Sequence, residues 1–109
     1  MSVKETLAQL KEKMNSNPEG IAGVEKVYQF DLSGEEEGTY QIIFSNDQVE
    51  YVEGVHQEPK CTLVMSDKSF LKLVEGNLNP TVAFMSGKLK IKGELGHALK
   101  LQSILNKYQ

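Results

Sequence analysis

The sequence predicts an α+β fold, with helices gathered on one face of a five-stranded, mainly antiparallel sheet. Three observations predict it. Segments of two-residue apolar alternation (28–32, 40–44, 49–51, 61–65 and 88–92) are interspersed with segments of helical spacing in the order α-βββ-β-αα-β-α. Each strand segment has one apolar face, as a sheet covered on one side requires. Leu, Val, Ile and Phe make up 30 of the 109 residues, enough for the packed core of one domain over 1–109.

The elements follow in order. Ser2 with Glu5 three positions on is a capping-box signature, and Val3, Leu7, Leu10 and Met14 form one helical stripe over residues 3–14. Asn15, Ser16, Asn17 and Pro18 end that helix. Tyr28, Phe30 and Leu32 then alternate with polar neighbours, as do Tyr40, Ile42 and Phe44, and next Val49 and Tyr51. Turn residues at 33–38 and 46–47 join these strands into an antiparallel meander. The three glutamates at 35–37 are expected at a solvated hairpin tip. Cys61, Leu63 and Met65 mark a fourth strand, blurred by Val64 as in a central strand. Ser66 or Asp67 caps a helix running to about Glu75, with Gly76 past its end. Asn79-Pro80 opens a short helix, Thr81 to Ser86, that Gly87 closes. Lys88 to Lys92 forms the last strand. Leu95, Ala98, Leu99, Leu101, Gln102, Ile104, Leu105 and Tyr108 predict a C-terminal helix with a broad apolar face.

Charge and motif content narrow the function classes. All 12 cationic residues are Lys, and the net charge is −3. Nucleic-acid binding, which relies on Arg forks and net positive charge, is not expected. The first half (1–54) holds four Lys against 11 acids, whereas the second holds eight against four. The basic second half therefore needs an account of its own. Zinc-protease, nucleophile-elbow and phosphate-loop motifs are missing, no cofactor fingerprint is present, and neither His56 nor His97 has a second ligand at metal spacing. The lone Cys61 forms no internal disulfide and reads as a small buried apolar residue. No apolar run reaches the ~18 residues of a membrane span and no secretory leader is visible, so a cytoplasmic location is expected.

Two features admit both structural and functional readings. Lys88, Lys90 and Lys92 fall on one face of the last predicted strand. Such a row protects a sheet edge from aggregation; with Lys68 and Lys72 it also favours transient contact with an anionic membrane, at roughly 1 kcal/mol per charge. Val82, Ala83, Phe84 and Met85 are four successive apolar residues on a predicted helix, pointing around most of its circumference. Simple burial between neighbouring elements is the expected reading. The other is a helix with one side on the sheet and another facing a ligand space.

Longer motifs carry a resemblance. Pro59-Lys60-Cys61-Thr62-Leu63-Val64-Met65-Ser66-Asp67, Phe70-Leu71-x-Leu73-x-x-Gly76-x-x-Asn79-Pro80, Ala83-Phe84-x-x-Gly87-Lys88-Leu89-Lys90-Ile91-x-Gly93 and Ala98-x-Lys100-Leu101-Gln102 resemble the sterol carrier protein 2 family. Tyr40 stands where many members have tryptophan. The chain ends Lys107-Tyr108-Gln109 rather than in a Ser-Lys-Leu-like address, which fits a stand-alone bacterial-type member. The resemblance implies an apolar cavity that takes a fatty acid, acyl-CoA, sterol-like lipid or phospholipid without covalent chemistry. The walls it implies are Phe70, Leu73, Val74, Leu78, Val82, Phe84, Met85, Leu89, Ile91, Leu99 and Leu105. Gln102, amid the apolar C-terminal helix, is either a hydrogen-bond partner for a head group or an outward-facing polar residue. An empty cavity of about 300 Å³ at ~24 cal/mol per Å³ costs roughly 7 kcal/mol, so collapse or loosening without ligand is expected. Two other readings remain open at this level: a docking or dimerisation module using the apolar helical face, and a small enzyme using Tyr28, Tyr40 or a cavity carboxylate.

Overall fold

The computed structural model describes residues 2–109. Helix α1 (Val3–Ser16) begins at the expected capping box: the Glu5 amide donates to Ser2 Oγ at 3.0 Å, and the Ser2 amide donates to Glu5 Oε1 at 3.3 Å. Its stripe of Val3, Leu7, Leu10 and Met14 is buried. A 3₁₀ turn at Pro18–Ile21 leads into β1 (Lys26–Ser33), followed by β2 (Gly38–Ser45), β3 (Gln48–Glu53) and β4 (Cys61–Ser66). Helices α2 (Asp67–Glu75) and α3 (Pro80–Met85), strand β5 (Lys90–Lys92) and helix α4 (Leu95–Asn106) complete the chain.

The sheet order is β3-β2-β1-β4-β5. Three pairings are antiparallel, and β4 lies parallel to β1 with Phe30 opposite Leu63. The parallel pair follows from the connection: after β3 at one edge, residues 54–60 lead to β4 on the far side of β1. Gln41 on β2 holds that crossing. Its Oε1 accepts from the His56 and Gln57 amides, both at 3.1 Å, and its Nε2 donates to the Gln57 carbonyl at 2.8 Å. Alternation alone predicts an outward, solvated Gln41, yet the side chain is fully buried. Burial is tolerable because its polar atoms are paired.

The other sheet face carries the core. Tyr28, Phe30, Leu32, Tyr40, Ile42, Phe44, Cys61, Leu63 and Met65 are all buried beneath the helices. Phe30 meets Phe70 of α2 with ring centroids 5.0 Å apart, and Tyr28 meets Phe44 edge-on at 6.0 Å.

The β1–β2 hairpin tip departs from expectation. Glu36 is half-buried: its Oε2 accepts the Val3 amide at 2.7 Å, satisfying a free donor at the start of α1. Its own amide donates to Asp67 Oδ2 at 3.0 Å. Asp67 is almost wholly buried, and its Oδ1 also accepts from the Lys68 amide at 2.8 Å. Glu35 and Glu37 are exposed, as expected of a solvated tip, while Glu36 makes the same tip a clasp between two helix starts.

Candidate ligand-binding site

The lipid-facing candidates lie on the second half of the helical layer, and local sequence explains their arrangement. Asn79 caps α3 through Oδ1, which accepts the Thr81 amide at 2.9 Å and the Val82 amide at 3.2 Å, while Pro80 supplies a preset first turn. Pro80 and Ala83, three residues apart, face inward and are buried. Gly87, at φ +82°, reverses the chain so that the Lys88 and Leu89 amides both donate to the Ala83 carbonyl, at 2.9 and 3.1 Å. Leu89 then drops into the core.

The remaining α3 side chains are exposed. Val82 is 64% accessible, Phe84 43% and Met85 81%, contrary to the expected burial of this segment between neighbouring elements. The reason is geometric: a six-residue helix buries one stripe, and no element of the described chain lies over its other sides. On α4, which packs against α3, Ala98, Leu101, Ile104 and Leu105 are buried, whereas Leu99 is 40% exposed. Gln102 is half-buried and shares a helix face with Leu99 and Leu95.

The twelve residues expected to wall one cavity are therefore divided. Phe70, Leu73, Leu89 and Leu105 are core; Val74, Leu78, Ile91 and Gln102 are half-buried; Val82, Phe84, Met85 and Leu99 are exposed. The twelve are thus spread over core, half-buried and surface positions. An apolar cleft of about 300 Å³ opens between α1, α2 and the chain end, lined by Leu10, Val74 and Tyr108 with polar residues at its rim. Only Val74 of the twelve lines it.

The lysines rearrange as well. Strand β5 begins at Lys90, so Lys88 belongs to the preceding turn rather than to the strand predicted from alternation. Lys68 and Lys72 of α2, Lys88 and Lys90 line one open cleft of about 540 Å³. Elsewhere Lys4 pairs with Glu53 at 3.0 Å and Lys11 with Glu50 at 2.6 Å.

Buried polar groups near the site are structural in their geometry. Tyr28 donates its hydroxyl to the His97 carbonyl at 2.8 Å, linking β1 to α4, and burial pushes its pKa up to about 12. Burial likewise raises the Cys61 thiol, which keeps it protonated. His56 is exposed in the 54–60 connection, its Nε2 2.8 Å from the Glu53 carbonyl. No helix is long and apolar enough to cross a membrane among the described residues.

Residues 6–106 match the SCP-2 sterol transfer family. The chain belongs to that family. Membership makes lipid binding and transfer the function class of the domain. Hydroxysteroid dehydrogenase-like protein 2 of Xenopus laevis is 46% identical over 91 residues, which is 82% of this chain and 22% of that protein. The human protein of the same name is 36% identical over 107 residues, 96% of this chain and 25% of its own length. The chain thus spans about a quarter or less of these relatives. Among solved structures, the sterol carrier protein domain 2 of Helicoverpa armigera superposes with TM-score 0.77 at 28% identity, covering 96% of this chain and 85% of that one. Sterol carrier protein 2 from Yarrowia lipolytica gives 0.75 at 26%, covering 92% and 86%. The Aedes aegypti sterol carrier protein 2 shares the fold, with TM-score 0.75, 21% identity and full coverage of both chains.

Proposed function

We propose that this domain binds a lipid with a long apolar portion, a fatty acid, acyl-CoA, sterol-like lipid or phospholipid, against α3 and α4 and passes it on without covalent chemistry. The carrying observation is the set Val82, Phe84, Met85 and Leu99, large apolar side chains left exposed on two helices that pack against each other. Of the six residues of α3 only Pro80 and Ala83 are buried, so an apolar chain inserts beneath it at the cost of few contacts. Val74, Leu78 and Ile91 flank the path, and Gln102 meets the head group. Palmitate bound to the Aedes aegypti protein of the same fold supports an acyl ligand. In the dehydrogenase-like relatives a segment of this kind accompanies a much longer chain, which supports a lipid-handling role beside a separate catalytic portion. Loading and release occur at an anionic membrane approached through Lys88, Lys90 and Lys92, all exposed.

Titration with palmitate tests the reading. The melting temperature is expected to climb with free ligand as RT ln(1 + [L]/Kd), about 2.7 kcal/mol at a hundredfold excess over Kd. A flat melting temperature at saturating palmitate and other acyl lipids overturns it. The exposed apolar helices also favour a second reading, docking of another protein or a second copy. A mass that rises with concentration and no lipid uptake is its signature.

A further inference from the structure

One lysine of this chain has a base for a partner. Among the described residues, Lys4 and Lys11 pair with the carboxylates of Glu53 and Glu50, whereas Lys26 at the start of β1 has no carboxylate oxygen within 4.0 Å. Its Nζ donates instead to Nδ1 of His97, in the first turn of α4, at 3.4 Å. Glu25, next to it in sequence, is engaged by the Ser45 hydroxyl and the Asn46 amide.

The contact assigns the imidazole. An ammonium group donates and never accepts, so Nδ1 offers its lone pair and the geometry belongs to the neutral ring with its proton on Nε2. That Nε2 lies 4.0 Å from Glu94 Oε2, close enough for the carboxylate to favour positive charge on the ring. The His97 backbone is fixed on both sides: its carbonyl accepts the Tyr28 hydroxyl at 2.8 Å, and its amide donates to the Glu94 carbonyl at 3.1 Å. Lysine, imidazole and carboxylate thus stand in the order of a nucleophile, its base and the group that orients the base. A tie between β1 and α4 does not account for that order, because the Tyr28 hydroxyl already makes one. Lys26 is also within reach of a small molecule, since it lines an open groove of about 570 Å³ with Val27, Ile43, Pro59 and Lys60.

We infer that Lys26 is a nucleophilic lysine that takes an acyl group from a thioester, with His97 as its base. His97 Nδ1 removes one proton from the ammonium group and bares the amine lone pair. The amine attacks the thioester carbonyl carbon; the N–C bond forms, the C–S bond breaks and its electron pair leaves on sulfur. The imidazolium returns its proton to the thiolate, and the nitrogen sheds its second proton to water. The products are an amide on Lys26, a free thiol and one proton. The inference stands on the Lys26 and His97 geometry and does not rest on the carrier reading.

A neutral thioester with no long chain, S-acetyl-N-acetylcysteamine, tests it, with peptide mass spectrometry following each lysine over time. Lys26 is expected to be acetylated at least about tenfold faster than Lys60, Lys100 and Lys107. Those three are exposed while Lys26 is half-buried, and Lys60 lines the same groove, so neither access nor binding in the groove produces that ranking. His97→Gln keeps the backbone carbonyl that holds Tyr28 and an acceptor for Lys26, but takes up no proton. It is expected to bring Lys26 down to the rate of the other three and to leave the melting temperature within about 2 °C. Lys26→Arg is expected to remove the fast acetylation and leave the slow ones. A Lys26 rate at or below those of the exposed lysines, or a fast rate that survives in folded His97→Gln, overturns the inference. If His97→Gln fails to fold, Glu94→Gln replaces it, at a side chain 88% exposed: a slowing of at least about threefold is expected, and an unchanged rate overturns the inference. Slow acetylation of Lys26 in a protein that palmitate still stabilises overturns this inference alone and leaves the carrier reading standing.

Discussion

The half of the molecule built from α1 and the β1–β3 meander is pinned by directional bonds, whereas the half built from α3, β5 and α4 is held mainly by apolar contact. In the first, Asn15 exchanges two hydrogen bonds with the Val49 backbone, at 2.8 and 3.0 Å, Gln41 fastens the crossing connection, and Glu36 and Asp67 clasp two helix starts. In the second, β5 is three residues long, α3 is six, and α3 and α4 carry four of the five large apolar side chains left exposed. The difference teaches a division of labour. Directional bonds fix one geometry, while a short helix resting on two small residues is able to shift and admit a guest.

The comparison is broken most severely at Phe70, which is buried and packs from α2 against Phe30 of β1. Phe70→Ala is expected to cost about 3–5 kcal/mol in chemical denaturation, because it leaves a cavity and loses an aromatic pair. Next in size is the tie between the halves, Tyr28. Its pKa in the folded chain is about 12, raised by burial. The unfolded chain ionises near pH 10, so this contribution is intact below pH 10 and falls on the order of 2–3 kcal/mol as pH rises to 12. Tyr28→Phe is expected to flatten that alkaline limb in pH-resolved melting curves; an unchanged limb removes the assignment.

Asp67 gives a smaller effect of opposite sign. The Glu36 amide, assisted by the Lys68 amide and charge, holds its carboxyl below the usual value. Its stabilisation is present above the unfolded pKa and disappears as pH drops through the folded one. Asp67→Asn is expected to weaken the protein at neutral pH and reduce its acid sensitivity. The smallest stability change is expected from V82S/M85S, within about 0.5 kcal/mol, since both side chains already face solvent. Palmitate affinity of that variant is expected to fall at least about tenfold, as two side chains' worth of apolar burial is lost. Unaltered affinity places the lipid elsewhere, with the 300 Å³ cleft beside Val74 the next site to probe.

Much of the fold was legible in the sequence because its signals are local. The Ser2–Glu5 box, the Asn79-Pro80 start, Gly76 and Gly87 past their helices, and period-two alternation all act over a few residues. The site was less legible. Phe70 and Met85 look equally apolar in one dimension, yet one is buried and the other 81% exposed. Lys88 reads as part of a lysine strand until the Ala83 carbonyl takes its amide into the helix-ending turn. Glu36, Gln41 and Asp67 carry no sequence signal for their roles, because their partners lie 31, 33, 15 and 16 residues away.

By itself the sequence determined the order of the α-helices and strands, the α-helix limits to within about two residues and which face of each strand is apolar, since capping, turn chemistry and side-chain alternation depend only on near neighbours. Tertiary structure alone decided that β4 runs parallel to β1, that a hairpin tip clasps two helices, and that four lysines from three segments share one cleft. These outcomes depend on which distant surfaces meet, and pairing free energies between remote segments leave no periodic trace along a chain.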